Sequence, residues 1–200
     1  NLTHLSELEK DFALPIKPLA LDGFEDKVDF NYSIWKKNNV RAHKISGHSI
    51  VNVSLTKLGA APGDATSEQM RILADLADQY SYSELRTTKR QTIVFPHVRK
   101  DQVFDLWQSL EKYGLASPHQ GTLAQIVACP GGDYCDLAKA VSIPIATRVQ
   151  QRFDDMDKLL DIGDLNINIS GCENSCAHHH VADIGLLGMH KNGEEYYQIT

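Results

Sequence analysis

The residues with the clearest chemical potential are four cysteines, which form two close pairs and leave no cysteine over. Cys129 and Cys135 stand in CPGGDYC, and Cys172 and Cys176 stand in GCENSC. Each pair follows a short run that resembles a β-strand in its apolar pattern. Thiolates presented by two loops at the ends of strands are a ligand set for zinc or for an iron–sulfur cluster, so the sequence predicts a metal site.

The spacing within the pairs leaves three kinds of site open. Three residues separate Cys172 from Cys176, which a structural zinc site allows, whereas the five residues between Cys129 and Cys135 exceed the roughly two to four that are usual. Glycines also stand beside both pairs, at Gly131, Gly132 and Gly171. They allow the backbone to approach sulfur closely. The pattern therefore favours a cluster over zinc, with buried or redox-active thiols as a third possibility.

Several secondary-structure elements must position these pairs. Residues 165–169 alternate apolar and polar types as a half-buried strand does, residues 126–128 lead into the first pair, and residues 183–187 follow the second. A helix is predicted from about Tyr134, with a kink or interruption at Pro144. The cysteines are therefore expected in a domain that mixes helices and strands.

The preceding part of the chain has the pattern of a ferredoxin-like unit. Residues 49–55 predict a strand, and Thr66 and Gln69 form a capping box that opens an amphipathic helix. Two more strands and a second amphipathic helix are predicted at 83–87, 92–95 and about 100–113. The order strand, helix, strand, strand, helix is that of an α+β ferredoxin-like unit. We therefore divide the chain into a connecting arm (1–40), a ferredoxin-like half-domain (41–117) and a second, α/β domain (118–200).

Composition bounds the class of protein. The 200 residues are 42% hydrophobic and 23% charged, as in a soluble globular protein, and no apolar run approaches the roughly 20 residues of a membrane span. A net charge of -6 argues mildly against nucleic acid, so we expect neither a nucleic-acid nor a membrane partner. The first residues lack the apolar core of a signal peptide, which predicts a cytoplasmic protein whose cysteines bind metal. Because the sequence lacks an initiator methionine and stops inside a strand-like run, we expect a piece of a longer protein, truncated within its last domain.

One motif resembles a known family. The pattern S-G-C-x-x-x-C followed after six residues by D-I-G-L is filled from Ser170 to Leu186, and it resembles the sirohaem-binding signature of the nitrite and sulfite reductase family. The CPGGDYCDLA segment resembles the first cysteine pair of the same family. Residues 39–91 resemble its ferredoxin-like half-domain, and the ending GEEYYQ resembles sequence after the signature in bacterial sulfite reductase haemoproteins. The resemblance covers roughly residues 14–200.

The resemblance implies both cofactors and their ligands. In that family four cysteines hold a 4Fe–4S cluster, and the last of them also bridges to the iron of sirohaem. By position, Cys129, Cys135 and Cys172 are expected as cluster ligands and Cys176 as the shared ligand. No catalytic residue is expected in this half, because the cationic residues that grip the substrate come largely from the other half of the enzyme.

Further residues are candidates for cofactor contacts. Asn174 could donate a hydrogen bond to the cluster or the haem, or could be a turn residue that tolerates unusual backbone angles. Arg86 and Gln91 lie in a polar, cationic segment that the family uses to approach the tetrapyrrole, whose carboxylates suit arginine. The run of three histidines at 178–180 could place at most one ring near the sirohaem, because consecutive side chains diverge. The candidate cofactor-binding set is therefore Cys176, Asn174, Arg86 and Gln91.

The implied function is that of the cofactor-ligating C-terminal half of an assimilatory sulfite reductase, which reduces sulfite to sulfide with six electrons. Its expected partners are the N-terminal half of the enzyme and a flavoprotein or ferredoxin that donates electrons, and this half alone is expected to be inactive. A nitrite reductase of the same family, which makes ammonia, is an alternative because it shares the cofactor motif. A non-catalytic structural domain whose cysteines hold zinc is the alternative from another class, and it would lose its fold in a chelator.

Overall fold

The computed structural model describes residues 16–21, 24–57, 59–153 and 155–200, and within them the chain forms two four-stranded sheets with separate apolar cores. Residues 1–15, which we assign to the connecting arm, lie outside the described residues. The elements are α1 (Phe30–Asn39), β1 (Val40–Ala42), β2 (His48–Ser54), α2 (Ser67–Tyr80), β3 (Arg86–Thr87), β4 (Thr92–Arg99), α3 (Val103–Lys112), β5 (Val127–Ala128), α4 (Ile143–Arg152), α5 (Met156–Ile162), β6 (Ile167–Ser170), β7 (Ile184–Lys191) and β8 (Glu194–Ile199). Among these residues no helix is both long and apolar enough to cross a membrane.

The first sheet has the antiparallel order β1-β2-β4-β3, which places the long strands β2 and β4 at its centre. Their paired residues Val51 and Phe95 are fully buried and belong to the first core. The predicted capping box is present at the start of α2, where Thr66 Oγ1 accepts the Gln69 N–H (3.1 Å) and Gln69 Oε1 accepts the Thr66 N–H (2.9 Å). The predicted ferredoxin-like α+β architecture is confirmed.

Part of the predicted connecting arm belongs to this first core. The helix α1 begins where Asp29 Oδ1 accepts the Tyr32 backbone N–H (2.8 Å). Its Tyr32 and Trp35 side chains are each 1% exposed and stack with one another at 6.2 Å between ring centroids. Each of these rings buries a large apolar surface, so α1 contributes to the stability of the first core.

The second sheet has the order β5-β6-β7-β8 and carries the cysteine loops. The strands β5, β6 and β7 are parallel, and β8 pairs antiparallel with β7. Ile167 and Ile169 of β6 face the second core, whereas the alternating Asn168 lies on the other face and is only partly buried. This alternation is the one that the sequence predicts for residues 165–169.

The helix predicted from about Tyr134 is not formed, and this prediction is wrong. Residues 131–142 make consecutive turns, in which Tyr134 is 82% and Leu137 is 68% exposed. The helix α4 begins only at Ile143, with Pro144 in its first turn. Proline is favourable there because the first turn has no intrahelical acceptor for its missing N–H, so Pro144 starts the helix and does not kink it.

A chain of hydrogen bonds links two histidines to a carboxylate on the first sheet. The Ile45 backbone N–H donates to His43 Nδ1 (2.8 Å), so the neutral ring of His43 carries its hydrogen on Nε2, which faces His97 Nδ1 (3.1 Å). His97 then presents Nε2–H to Glu84 Oε2 (3.2 Å). Burial lowers the pKa of both histidines below its usual value, although Glu84 opposes this for His97.

Acid is expected to destabilise the protein through this pair. The pKa values of His43 and His97 are lowered in the folded state. Below about pH 6.5 these two rings therefore bind more protons in the unfolded chain than in the folded protein, whereas well above that pH both rings are neutral in either state. Each histidine then removes at most about 1.4 kcal/mol of stability per pH unit. We expect His97→Gln to flatten the decline of the melting temperature between about pH 7.5 and pH 5.5. The exposed His190→Gln is the control, and an equal decline in His97→Gln and the parent would assign the acid sensitivity to other groups.

Candidate functional site

The first cysteine of each pair follows one of two adjacent parallel strands. Cys129 comes directly after β5, and its backbone N–H donates to Ile169 O (3.1 Å), which extends the β5–β6 ladder by one residue. Cys172 lies two residues past the end of β6 and is 7% exposed. Since parallel strands end at the same edge of a sheet, both residues lie at the carboxyl edge of the second sheet.

The sulfur of Cys129 accepts one hydrogen bond from the second cysteine loop. The Gly171 backbone N–H donates to Cys129 Sγ (3.1 Å), and Ser142 Oγ lies 3.5 Å from the same sulfur. Hydrogen bonds to sulfur stabilise the thiolate form and tune the potential of a bound iron–sulfur cluster. The surroundings of Cys129 therefore suit a metal-binding thiolate.

The two cysteine loops pack backbone against backbone at glycines. A Cβ on Gly171 would lie 2.7 Å from Ala140 O and 2.8 Å from Gly131 Cα, closer than real Cβ contacts allow. Gly131 has a φ of +60°, and a Cβ there would lie 2.5 Å from Ser142 N. Gly171 O also accepts the backbone N–H groups of Lys139 (2.8 Å) and Ala140 (3.0 Å). These contacts fix the loop that carries Cys129 and Cys135 against the loop that carries Cys172.

The second cysteine of each pair is more open to solvent. Cys135 is half-buried, and its backbone N–H donates to Gly131 O (2.9 Å) within a turn. Cys176 is exposed and follows Ser175, whose φ is +57°. Asn174 is also exposed in this turn. The thiol of Cys176 is therefore accessible to a group that binds to the surface of this unit.

Zinc and a 4Fe–4S cluster require different separations of the four cysteine sulfurs. Among the residues that the structure describes, no three His, Cys, Asp or Glu side chains come close enough to hold one metal ion. A tetrahedral zinc site would bring its four sulfurs to within about 4 Å of one another, given Zn–S bonds of about 2.3 Å. In a 4Fe–4S cluster each thiolate binds its own iron, so the sulfurs stand farther apart.

The other two sequence-predicted cofactor residues lie in the first unit. Arg86 is exposed on β3, and its Nε donates to Glu84 Oε1 (2.5 Å) beside a cavity of about 830 Å³ that His43 and His97 also line. Gln91 has both of its amide atoms bonded to the backbone of Ala128. The contact of Gln91 with a tetrapyrrole stays a prediction, whereas its contact with the second unit is observed.

One ring of the histidine run at 178–180 is buried near the second cysteine pair. His179 is 1% exposed, and neither of its ring nitrogens has a hydrogen-bond partner among the described residues. Burial lowers its pKa, and the neighbouring His180, with ring centroids 3.9 Å apart, acts in the same direction. The only sequence signal for it is the histidine run itself, which does not indicate which ring turns inward.

Comparison with protein families gives two matches along the chain. The model for the nitrite/sulfite reductase ferredoxin-like half domain matches residues 57–113. The model for the nitrite and sulphite reductase 4Fe-4S domain matches residues 121–200. The second sheet and all four cysteines fall within the second match, whereas the first match contains β3 and β4 and begins after β1 and β2.

Curated relatives carry two different names. The sulfite reductase [ferredoxin] 2 of Mycolicibacterium paratuberculosis is 33% identical over 141 residues, which is 68% of this chain and 25% of that protein. The chloroplastic ferredoxin–nitrite reductase of Arabidopsis thaliana is 30% identical over 192 residues, which is 95% of this chain and 31% of that protein. The chain thus spans about a quarter to a third of the length of the curated relatives it matches.

Two solved structures share the fold. The Mycobacterium tuberculosis NirA protein aligns with a TM-score of 0.56 and 22% identity, over 99% of this chain and 35% of that chain. A dissimilatory sulfite reductase I aligns with a TM-score of 0.57 and 16% identity, over 72% of this chain and 34% of that chain. At these identities the two structures support the architecture alone.

Proposed function

The chain belongs to the nitrite and sulfite reductase family, and on that premise we propose that it is the cofactor-ligating C-terminal half of an assimilatory sulfite reductase. The observation that carries this proposal is the pair of cysteine loops at one sheet edge, packed together at Gly131 and Gly171 with an N–H bond to the Cys129 sulfur. The reaction is the six-electron reduction of sulfite to sulfide.

Each cysteine has a proposed role. Cys129, Cys135 and Cys172 would hold the 4Fe–4S cluster, and Cys176 would be the ligand that the cluster shares with the iron of sirohaem. These cofactors are those of the family, and when bound they would relay the electrons of the donor to the substrate one at a time. The exposure of Cys176 supports its role, because a thiolate that must reach a second cofactor cannot be enclosed by its own loop.

Around the thiolates the chain supplies backbone and side-chain groups. Gly171 holds the Cys129 thiolate through its N–H, and Ser142 places a hydroxyl beside the same sulfur. Asn174, exposed between the last two cysteines, is proposed to donate a hydrogen bond to the cluster or to the sirohaem. Arg86 supplies a guanidinium for a tetrapyrrole carboxylate, although Glu84 occupies its Nε. The cationic residues that bind the anionic substrate are assigned to the N-terminal half of the enzyme.

A nitrite reductase that produces ammonia is the second candidate. The nitrite reductase of Arabidopsis thaliana aligns over 95% of this chain, against 68% for the sulfite reductase relative at similar identity. The names of both relatives include ferredoxin, which supports ferredoxin over a flavoprotein as the electron donor. We propose a cytoplasmic enzyme in either case.

The proposal is tested by metal analysis and an anaerobic visible spectrum, both measured on the same preparation of the full-length protein. We expect iron in excess of acid-labile sulfide by one atom per chain, because sirohaem adds its own iron to that of the cluster, together with a tetrapyrrole band and no stoichiometric zinc. Sulfide or ammonia formed by the full-length protein with reduced ferredoxin then decides between sulfite and nitrite. Zinc without colour would overturn the proposal in favour of a structural zinc domain.

Arg86→Ala is expected to weaken sirohaem retention and leave the cluster in place. The substitution removes one charge-assisted contact to a carboxylate, which corresponds to about a tenfold loss of retention. Because Arg86 is largely exposed, the fold should not be affected. Sirohaem and iron per chain are measured after gel filtration, with the exposed Lys89→Ala from the next turn as the control. Sirohaem content equal to that of the parent would remove Arg86 from the cofactor site.

A further inference from the structure

A side chain of the ferredoxin-like unit holds the strand that leads into the first cysteine. Gln91 Nε2 donates to Ala128 O (2.7 Å), and the Ala128 N–H donates to Gln91 Oε1 (3.1 Å). Ala128 is the last residue of β5 and directly precedes Cys129. One amide group therefore satisfies both polar groups of a single residue across the junction of the two units.

The geometry of the sheet explains why this residue needs such a partner. The strand β5 has two residues and is the edge strand of its sheet, with β6 on one side only. Cys129 N–H points to Ile169 of β6, so in the alternating pattern of a parallel ladder the N–H and C=O of Ala128 point away from the sheet. Ala128 is 4% exposed, and without Gln91 these two groups would be left buried and unpaired.

Gln91 is itself fixed in place. Its φ is +56°, in the left-handed region, and its N–H donates to Thr88 O (3.1 Å) in a tight turn. A Cβ on Gly63 would lie 2.7 Å from the Gln91 Cβ, so the chain keeps a glycine where this side chain passes. Gln125 Nε2 donates to Arg90 O (3.4 Å) in the same turn. A non-glycine residue keeps such a backbone conformation when the surrounding contacts enforce it.

We propose that Gln91 is a positioning residue for the cluster, which sets the place of Cys129 by holding the Ala128 peptide from the neighbouring unit. This inference rests on the proposed function, because it takes Cys129 as a cluster ligand. A shift of the Ala128 peptide would move the Cys129 sulfur relative to the Gly171 N–H, whose bond to that sulfur is 3.1 Å long. Changes in hydrogen bonding at a ligand alter both the affinity and the potential of a metal centre.

Two substitutions separate the contact from the backbone conformation. Gln91→Met keeps the length of the side chain and removes both hydrogen bonds to Ala128. Gln91→Asn keeps the amide and suits a positive φ, but is one methylene too short to reach the same peptide. Gln125→Met is the matched control, because Gln125 bonds the same turn at Arg90 O and has no bond to Ala128.

The test uses the full-length protein, purified anaerobically. Iron and labile sulfide per chain are followed during exposure to a chelator, and the midpoint potential of the cluster is titrated; far-UV circular dichroism checks folding. In both Gln91 variants we expect the cluster to be lost about tenfold faster than in the parent, which is the usual effect of removing a hydrogen bond to a metal-binding residue. The midpoint potential of the cluster should also shift. In Gln125→Met the rate of cluster loss and the midpoint potential should equal those of the parent. If Gln91→Met does not fold, Gln91→Asn carries the same test.

Several outcomes would overturn the inference. The inference is wrong if the Gln91 variants retain the cluster as the parent does and have the same midpoint potential. A lower melting temperature with cluster retention and potential unchanged would also overturn it, because that result would show a purely structural role. An equal loss in Gln125→Met would assign the effect to loosening of the whole junction. A parent protein without iron and sulfide would be the separate failure of the proposed function.

Discussion

Cys176→Ser in the full-length protein is expected to abolish sulfite reduction and the spectrum of the coupled cofactors. A serine hydroxyl stays protonated near neutral pH and is a poor ligand for iron, so the proposed shared bridge is lost. Turnover is expected to fall by at least about 100-fold, because losing a ligand should cost more than losing a hydrogen bond to a ligand. Because Cys176 is exposed, the substitution leaves the core intact, and the loss would be chemical. Visible and electron paramagnetic resonance spectra, with iron and sirohaem contents, measure it.

The control for this prediction lies in the same loop. Glu173 is exposed three residues before Cys176, and Glu173→Gln changes the loop charge without touching a thiol. Its spectra and turnover are expected to match those of the parent. Normal coupled spectra and normal turnover in Cys176→Ser would show that the bridge is assigned to the wrong residue.

The parts of the fold that could be predicted from the sequence depend on local patterns. Alternation at 165–169 located β6, observed as Ile167–Ser170, and the apolar run at 49–55 located β2, observed as His48–Ser54. The capping box at Thr66 was readable because both of its hydrogen bonds form within four residues. In such cases the residues that define the element are also the residues that stabilise it.

The parts that could not be predicted depend on contacts far away in the chain. Tyr32 of α1 packs edge-on against Phe104, with centroids 5.0 Å apart, and such a contact has no local signal. Residues 131–142 carry helix-like apolar spacing, yet the Lys139 N–H bonds to Gly171 O, which holds this segment as a loop. Tertiary hydrogen bonds therefore replace the helix that local propensity favours.

The candidate site shows the same division. Its four cysteines were identified from their spacing and motif, but the packing of their loops through Gly171 requires the fold. Gln91 was interpreted as a cofactor contact because it lies in a segment that the resembling family uses to approach the tetrapyrrole, whereas its observed partner, Ala128, is 37 residues away. Sequence reasoning thus identified groups that could bind cofactors, and the structure identified groups that hold the binding residues.

Gly171→Ala is expected to remove the cluster and destabilise the second unit. The new methyl group would lie 2.7 Å from Ala140 O and 2.8 Å from Gly131 Cα, and neither backbone atom can rotate away as a side chain can. The loops must therefore separate, which breaks the bond from the Gly171 N–H to Cys129 Sγ. Overpacking of this kind costs about 1–3 kcal/mol or more. Iron per chain should fall to a small fraction of the parent value, and the melting temperature should fall by several degrees, on the order of 5 °C.

Gly132→Ala is the matched control, one residue from Gly131 in the first cysteine loop. Its φ lies outside the left-handed region, and a Cβ there would meet its nearest neighbour, Ala140 C, at 3.5 Å, an ordinary van der Waals distance. Gly132→Ala should therefore keep the cluster and the melting temperature of the parent. Full iron content in Gly171→Ala would contradict the close packing of the two loops. Equal losses in both variants would instead mean that the first loop tolerates no added methyl group, and the specific contact between Gly171 and Gly131 would no longer explain how the cysteines are brought together.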